Sequence, residues 1–401
     1  MLPKKVYLEP PWNLHAFQHQ MVAFPPAGYE FIVRETYEEK MQQAATRWNK
    51  ARSLLKAANR VAPTTLAKAW QQKWHTPPAG TILTYAIDHL IFRPEPWVVE
   101  VEYATSLVVT RPVYLRRFKR PIERTLASPW CRKIICWSAA GSRSLLGDLD
   151  CRGFEPKIEV IRLAVPAKRF VKEYQNNRVR LLFVGSGITK GAFEGRGEEV
   201  FAVFTRLCTR YRNLELVVRS DVPPGIKARY RSMENIKILD KPVPREVLER
   251  EYMAADIFIM PSYGTVPFTL LEAMSYELPV VTIDSWANTD YVKDNQTGLV
   301  AEMPEGIPRH YTKTFQPYFL APEFSRTVRL ANSEVADRLA QKVSLLIEDP
   351  ELRRRLGKAA RWEVERGEFS LAKMNERLGK IFDEATTDIK KPVITGKSKE
   401  V

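Results

Sequence analysis

Short apolar runs alternate with longer amphipathic stretches along the whole chain. Lys5–Leu8, Phe31–Val33, Ile82–Ala86, Trp97–Val101, Lys133–Trp137 and Lys157–Leu163 read as strands, and Tyr37–Val61, with few breakers, reads as a helix between them. Near-continuous apolar runs are what strands covered on both faces show, so the alternation predicts a parallel sheet with crossover helices. Ala164–Asn177 is polar, contains Pro166 and reads as a linker. A second alternating set follows. Arg180–Val184, Glu215–Arg219, Ile236–Leu239, Ile257–Met260 and Val280–Ile283 read as strands; Glu198–Tyr211, Pro244–Ala255, Phe268–Tyr276, Ser333–Glu348, Pro350–Arg366 and Phe369–Ala385 read as helices. Ser370 is the expected N-cap of the last helix. Four parts are expected: an α/β domain over 1–165, a second over 166–368, a last helix over 369–385, and a basic tail over 386–401.

The densest signal is ADIFIMPSYGTVPFTLLEAMSYELPVVTID, Asp256 to Asp284, which reads strand, loop, helix, strand. A loop that feeds a helix N-terminus after a parallel strand is a natural anion site, because unpaired amides and the positive dipole end both point at the ligand. One carboxylate, Glu272, stands a turn into that helix among apolar and small residues.

Composition narrows the class. The chain has 401 residues, too many for one core and enough for two α/β domains, and 45% of them are hydrophobic. No run approaches the length needed to span a bilayer. MLPKKVYLEPPW lacks the apolar stretch of a signal peptide. Cys131, Cys136, Cys151 and Cys208 form no CxxC pair, so free thiols in a cytoplasmic protein are expected.

Charge adds a second feature. The formal net charge is +15. Residues 1–165 hold 24 Lys+Arg against 14 Asp+Glu, and the excess peaks in Arg111–Lys133, where eight basic residues face one acid, Glu123. Tyr114, Leu115, Phe118, Ile122, Leu126 and Trp130 are interleaved. Such a segment either docks on an anionic membrane surface, an anionic acceptor or a nucleic-acid backbone, or is a solvated helix packing its apolar face on the domain.

From Lys157 to Ala385 the chain resembles the retaining GT-B-fold glycosyltransferases of family 4. KIEVIRLAVPAKRF resembles the interdomain strand and linker; RLLFVGSG and GRGEEVFAVFTRL resemble the first donor-domain strand and helix. ADIFIMPSY, LLEAMSYELPVV and DNQTGLVAE resemble the donor-site strand, helix and following loop, and FSLAKMNERLGKIFDEA the terminal helix. The pieces stand in the family's order. The resemblance implies two Rossmann-like α/β/α domains facing a central cleft, an acceptor-binding one over 1–165 and a nucleotide-sugar-binding one over 166–368, with the helix over 369–385 crossing back to the first. It also implies transfer of a sugar, with retention of configuration, from a UDP- or GDP-sugar to a sugar, glycan or lipid-linked acceptor.

The chemistry needs groups that stabilise negative charge building on the leaving diphosphate. By the resemblance, Glu272 accepts hydrogen bonds from the ribose diol. The family's Arg after the first-strand glycine is missing: Gly185 is followed by Ser186 and Gly187. Arg196 stands at the family's Lys position, and Lys190 lies in the same loop as a substitute cation. Gly191, Gly195 and Gly197 let backbone approach closely. Lys241 and Val243 fall where family backbone meets the base. The family's first motif Glu is Gly264 here, with Thr265, Val266 and Pro267 in place of Gly-Phe-Gly. Pro267 has no N–H to give, so Thr265, Phe268 and Thr269 are the remaining contacts for sugar and phosphate.

On the acceptor side, Glu102 occupies the place where many members carry a histidine, and His89 follows the previous strand. Either can orient the acceptor hydroxyl or take its proton. Asp88 and Glu100 are further acids near strand ends. No cofactor and no metal are expected, Lys190 and Arg196 being the cations. A non-catalytic nucleotide-sugar-binding relative is the main alternative, since Gly264, Pro267 and the absent Arg subtract from the motif. A basic nucleic-acid binder and a sugar-nucleotide epimerase are the others.

Overall fold

The computed structural model describes residues 2–9, 14–33, 76–108, 112–174, 177–185, 193, 197–264, 266–307 and 322–387. The expected helix Tyr37–Val61 lies outside the described residues, as do Ser186, Gly187, Lys190, Gly191, Gly195, Arg196, Thr265 and the tail from residue 388.

Among the described residues, twelve strands form two parallel sheets. The first contains β1 (Lys4–Glu9), β2 (Tyr29–Val33), β3 (Thr81–Ile87), β4 (Trp97–Val101), β5 (Cys131–Cys136) and β6 (Ile158–Val160), in the order β2-β1-β3-β4-β5-β6. The second contains β7 (Val179–Val184), β8 (Leu214–Arg219), β9 (Ile236–Leu239), β10 (Ile257–Met260), β11 (Val280–Ile283) and β12 (Gly298–Ala301), in the order β12-β11-β10-β7-β8-β9. Strand order therefore reverses at β1/β3 in one sheet and at β7/β10 in the other. Ligands of open α/β sheets bind outside the carboxyl ends of strands at such reversals.

Every residue of β4, β10, β11 and β12 is buried. Both faces are covered, which is why these strands read as continuous apolar runs rather than alternating ones. β6 is shorter than the run Lys157–Leu163 because the chain leaves the sheet after Val160 and becomes the connecting segment.

That segment is strapped down. The Lys172 ammonium is buried and donates to the Met253 carbonyl at 2.9 Å and to that of Ala255, the C-terminal end of the helix Arg245–Ala254. Burial lowers the Lys172 pKa to about 8. Arg361 donates to the Lys168 carbonyl at 3.0 Å and that of Phe170 at 3.2 Å, and pairs with Glu277.

The last helix, Leu371–Thr386, packs on the first sheet. Phe382 is 0% exposed and sits edge-on to the rings of Tyr29, Phe31 and Tyr85. Asp383 accepts from Lys4 at 2.8 Å and Tyr29 at 2.6 Å. Ser370 caps the helix by accepting from the Lys373 amide. No helix among the described residues is long and apolar enough to cross a membrane.

Candidate functional site

One half of the candidate site is built on the β7/β10 reversal. Leu181 and Leu182 of β7 lie beside Ile257 and Phe258 of β10, so the loops leaving both strands open on one edge. Gly185 ends β7. Its amide donates to the Arg219 carbonyl at 2.7 Å, and its own carbonyl accepts from the Arg219 guanidinium at 2.8 Å. A Cβ here would stand 2.6 Å from Ser220 Oγ, so only glycine lets the two strand ends touch.

After β10 the chain folds tightly. Gly264 is buried, its amide donating to Ser262 Oγ at 3.2 Å while that hydroxyl donates to the Gly264 carbonyl at 3.0 Å. The helix Pro267–Ser275 then begins with Pro267 at its first position. A missing N–H costs nothing there, because the first amides of a helix have no internal partner. Phe268 packs against the core, Thr269 is half-buried, and the helix N-terminus faces the strand edge.

Glu272, one turn further on, has a side chain 15% exposed, with the Arg245 guanidinium 3.4 Å away. Burial raises its pKa, opposed by the charges of Arg245, Lys168 and Arg219. Arg245 opens the helix after β9, directly beyond the exposed Lys241 and the half-buried Val243. A cation from the β9 loop thus reaches a carboxylate from the β10 helix.

Glu199 is a second buried acid at this edge. It lies in the first turn of the helix Gly197–Cys208, is 1% exposed, and accepts from the Tyr263 hydroxyl at 3.2 Å. Its other oxygen has no partner among the described residues, and burial pushes its pKa up to about 7.

The other half is built on the carboxyl ends of β1, β3 and β4. Asp88 adopts a left-handed φ of 50° and accepts from the Glu102 amide at 3.1 Å and from the Ser106 hydroxyl. Glu102 is half-buried just past β4, and its carbonyl lies against Gly141, where a Cβ would stand 2.6 Å away. His89 is 3% exposed: Nδ1 lies 2.7 Å from the Ile87 carbonyl and Nε2 lies 3.7 Å from Glu9. Burial works against ionised Glu9, but hydrogen bonds from His89 and Arg93 outweigh it and hold its pKa at about 2. Glu100, inside β4, is wholly buried and receives hydrogen bonds from Gln18 at 2.5 Å and Tyr85 at 2.8 Å.

The two halves meet. Tyr103, beyond β4, stands edge-on to Trp286, beyond β11, with centroids 6.2 Å apart. Tyr291 donates to the Trp137 carbonyl at 2.5 Å, and Asp290 accepts from the Ala140 amide at 3.2 Å and pairs with Arg162 at 3.3 Å.

The structure gathers Gly185, Gly264, Phe268, Thr269 and Glu272 on one sheet edge, with Lys241 and Val243 on the loop from β9. Glu102 and His89 stand on the edge of the other sheet. Arg219, Arg245, Glu199 and Glu9 were not singled out by the sequence pattern. Arg219 and Glu9 carry one available signal, a charged residue ending an apolar strand run.

Residues 178–313 match the family model described as glycosyl transferases group 1. No curated protein matches the chain. Among solved structures, a glycosyltransferase from Rickettsia africae ESF-5 aligns with a TM-score of 0.60 at 14% identity, covering 96% of this chain and 99% of that one. Anabaena Alr3699/HepE, solved with UDP and glucose, aligns with a TM-score of 0.56 at 12% identity, covering 95% and 99%. The pneumococcal O-GlcNAc transferase GtfA, solved with UDP and GlcNAc, aligns with a TM-score of 0.53 at 13% identity, covering 76% of this chain and 57% of that one. The two parallel sheets thus form the GT-B architecture of glycosyltransferase structures, and the second of them holds the residues that match the glycosyl transferases group 1 model.

Proposed function

We propose that the protein is a family 4-type glycosyltransferase that moves a sugar from a UDP- or GDP-sugar to an acceptor with retention of configuration. The observation that carries this reading is Glu272: a carboxylate 15% exposed, paired with Arg245, at the strand-order reversal of a group 1 domain. A carboxylate so placed accepts two hydrogen bonds from a ribose diol, and the Arg245 cation favours the ionised form that does so. The base then lies by Lys241 and Val243. The diphosphate lies between the Gly185 loop and the N-terminus of Pro267–Ser275, where the helix dipole and Arg219 favour its charge. Arg196 and Lys190, from the loop after Gly185, supply further cations for the leaving diphosphate, and the reaction proceeds without a metal. Glu102 orients the acceptor hydroxyl from the opposite edge, with His89 behind it. That Alr3699/HepE and GtfA were solved with UDP and a sugar supports the ligand class.

One observation favours a second reading. Gly264 brings no carboxylate to the sugar and its backbone is tied to Ser262, so the site could hold a nucleotide-sugar without transferring it. The test is incubation of the full chain with a panel of UDP- and GDP-sugars, with and without simple glycoside acceptors. Release of nucleoside diphosphate that is abolished in Glu272→Ala supports transfer, and the product's anomeric coupling constant reports retention. Binding without release supports the second reading.

A further inference from the structure

The basic segment lies outside the sheet edges described above. Two short helices, Pro112–Arg117 and Lys119–Ala127, join at Phe118. Their apolar side faces inward: Tyr114, Leu115, Ile122 and Leu126 are all buried in the core of the first sheet. The interleaved aromatic and aliphatic groups are therefore used for packing and are not available for insertion into a bilayer. The outward side is cationic. Arg116, Arg117, Lys119, Arg120 and Arg124 line a surface cavity of about 620 Å³ with Glu123 and Asp150.

Both acids are already engaged. Glu123 accepts from the Asp150 amide at 2.6 Å and lies 3.9 Å from Lys119, and Asp150 is held by Arg152. Among the described residues, Arg116, Arg117, Arg120 and Arg124 have no carboxylate partner. Elsewhere the exposed Arg210 pairs with Glu348, and the half-buried Arg338 and Arg354 pair with Glu334 and Glu351. Arg120 and Arg124 follow at four-residue spacing on the second helix, which sets like charges side by side, a repulsion that a bound anion would relieve. Val113, 67% exposed, stands one turn before Arg116 and Arg117 on the first of these helices.

We propose that this cavity is the docking surface through which the protein adheres to an anionic membrane, the guanidinium groups taking lipid phosphates. Arginine forks match phosphate oxygens bidentately, and clustered basic residues add their attractions to an anionic leaflet. The attachment is electrostatic and peripheral, and it presents the sheet that carries Glu102 and His89 to the bilayer. It depends on nothing in the donor site.

The test is co-sedimentation of the full chain with vesicles of phosphatidylcholine alone or mixed with phosphatidylglycerol, at low and high salt. The expected result is binding to the mixed vesicles only, lost at high salt. The combined Arg116→Gln, Arg120→Gln, Arg124→Gln variant should lower the partition coefficient more than about tenfold. A control with Arg210→Gln, Arg338→Gln and Arg354→Gln, of equal net charge, should retain most of the binding. Circular dichroism checks that both variants fold; if the first does not, Arg120→Gln alone should still bind more weakly than the wild type. No binding at low salt, or equal loss in both triple variants, overturns the proposal. Calorimetric binding of inorganic pyrophosphate at this cavity without vesicle binding also overturns it, by assigning the cavity to a soluble anion.

Discussion

Glu100 is the most strongly perturbed carboxyl group facing the acceptor side. Burial pushes its pKa from 4.5 up to about 8, despite hydrogen bonds from Tyr85 and Gln18 that favour the charged form. The folded chain thus keeps a proton that the unfolded chain gives up at lower pH. Stability from this group is complete below about pH 4.5 and falls as pH rises towards 8, by up to about 1.4 kcal/mol per pH unit. Urea midpoints between pH 5 and 8 should fall less steeply in Glu100→Gln than in the wild type. Parallel slopes would remove Glu100 from the account. In the proposed reading, Glu272 is the residue that matters most for the donor. Glu272→Gln keeps the shape but loses the charge proposed to accept the ribose hydrogen bonds. Nucleoside diphosphate affinity by calorimetry should drop by about 1.5–3 kcal/mol, roughly ten- to a hundredfold. Arg245→Ala should move affinity the same way by less, because its side chain is 57% exposed and its attraction is screened.

The elements are positioned by close approaches that tolerate no extra atom. Gly141 lies in the first turn of the helix Ala139–Asp148, against the Glu102 carbonyl. The Cβ of Gly141→Ala would meet that oxygen at 2.6 Å, so the corner carrying Glu102 must move. Overpacking of this kind costs about 1–3 kcal/mol. It should lower the melting temperature and raise the acceptor KM while leaving donor affinity unchanged. Most strands were readable from sequence, since four-to-six-residue apolar runs such as Ile257–Met260 and Val280–Ile283 leave no choice of face to bury. The donor helix was readable to within one residue, with Pro267 marking its start. Ala16–Ala23 was not: it carries no apolar stripe, and is held by tertiary packing of Phe17 and Met21 and by the Gln18 side chain, which accepts from the His15 amide at 2.6 Å. The contacts of Arg245 with Glu272, of Arg219 with Gly185 and of Glu9 with His89 were not readable either. Each joins separate strand ends, and spacing along the chain does not reveal which strands become neighbours.

Among the described residues, the two sheets are coupled by the last helix and by contacts between the residues after β4 and β5 and those after β11. The helix Leu371–Thr386 fills a hollow on the first sheet with Phe382, and Phe382→Ala should cost about 3–5 kcal/mol in a denaturant melt. At the mouth, Tyr103 and Trp286 touch across the gap between the sheets. If closure assembles the acceptor side against the donor, Trp286→Ala should leave nucleoside diphosphate affinity near the wild-type value and reduce turnover. The connecting segment is tied down by Lys172 and Arg361. The central claim is that the second sheet holds a nucleotide-sugar with Glu272 at its ribose. Its most direct test is a thermal-shift titration of wild type and Glu272→Ala with UDP, GDP, ADP and their sugars. A ligand at a hundred times its dissociation constant should add about 2.7 kcal/mol to the wild type, and Glu272→Ala should lose most of that gain. No shift with any of these nucleotides, or an equal shift in Glu272→Ala, would contradict the account.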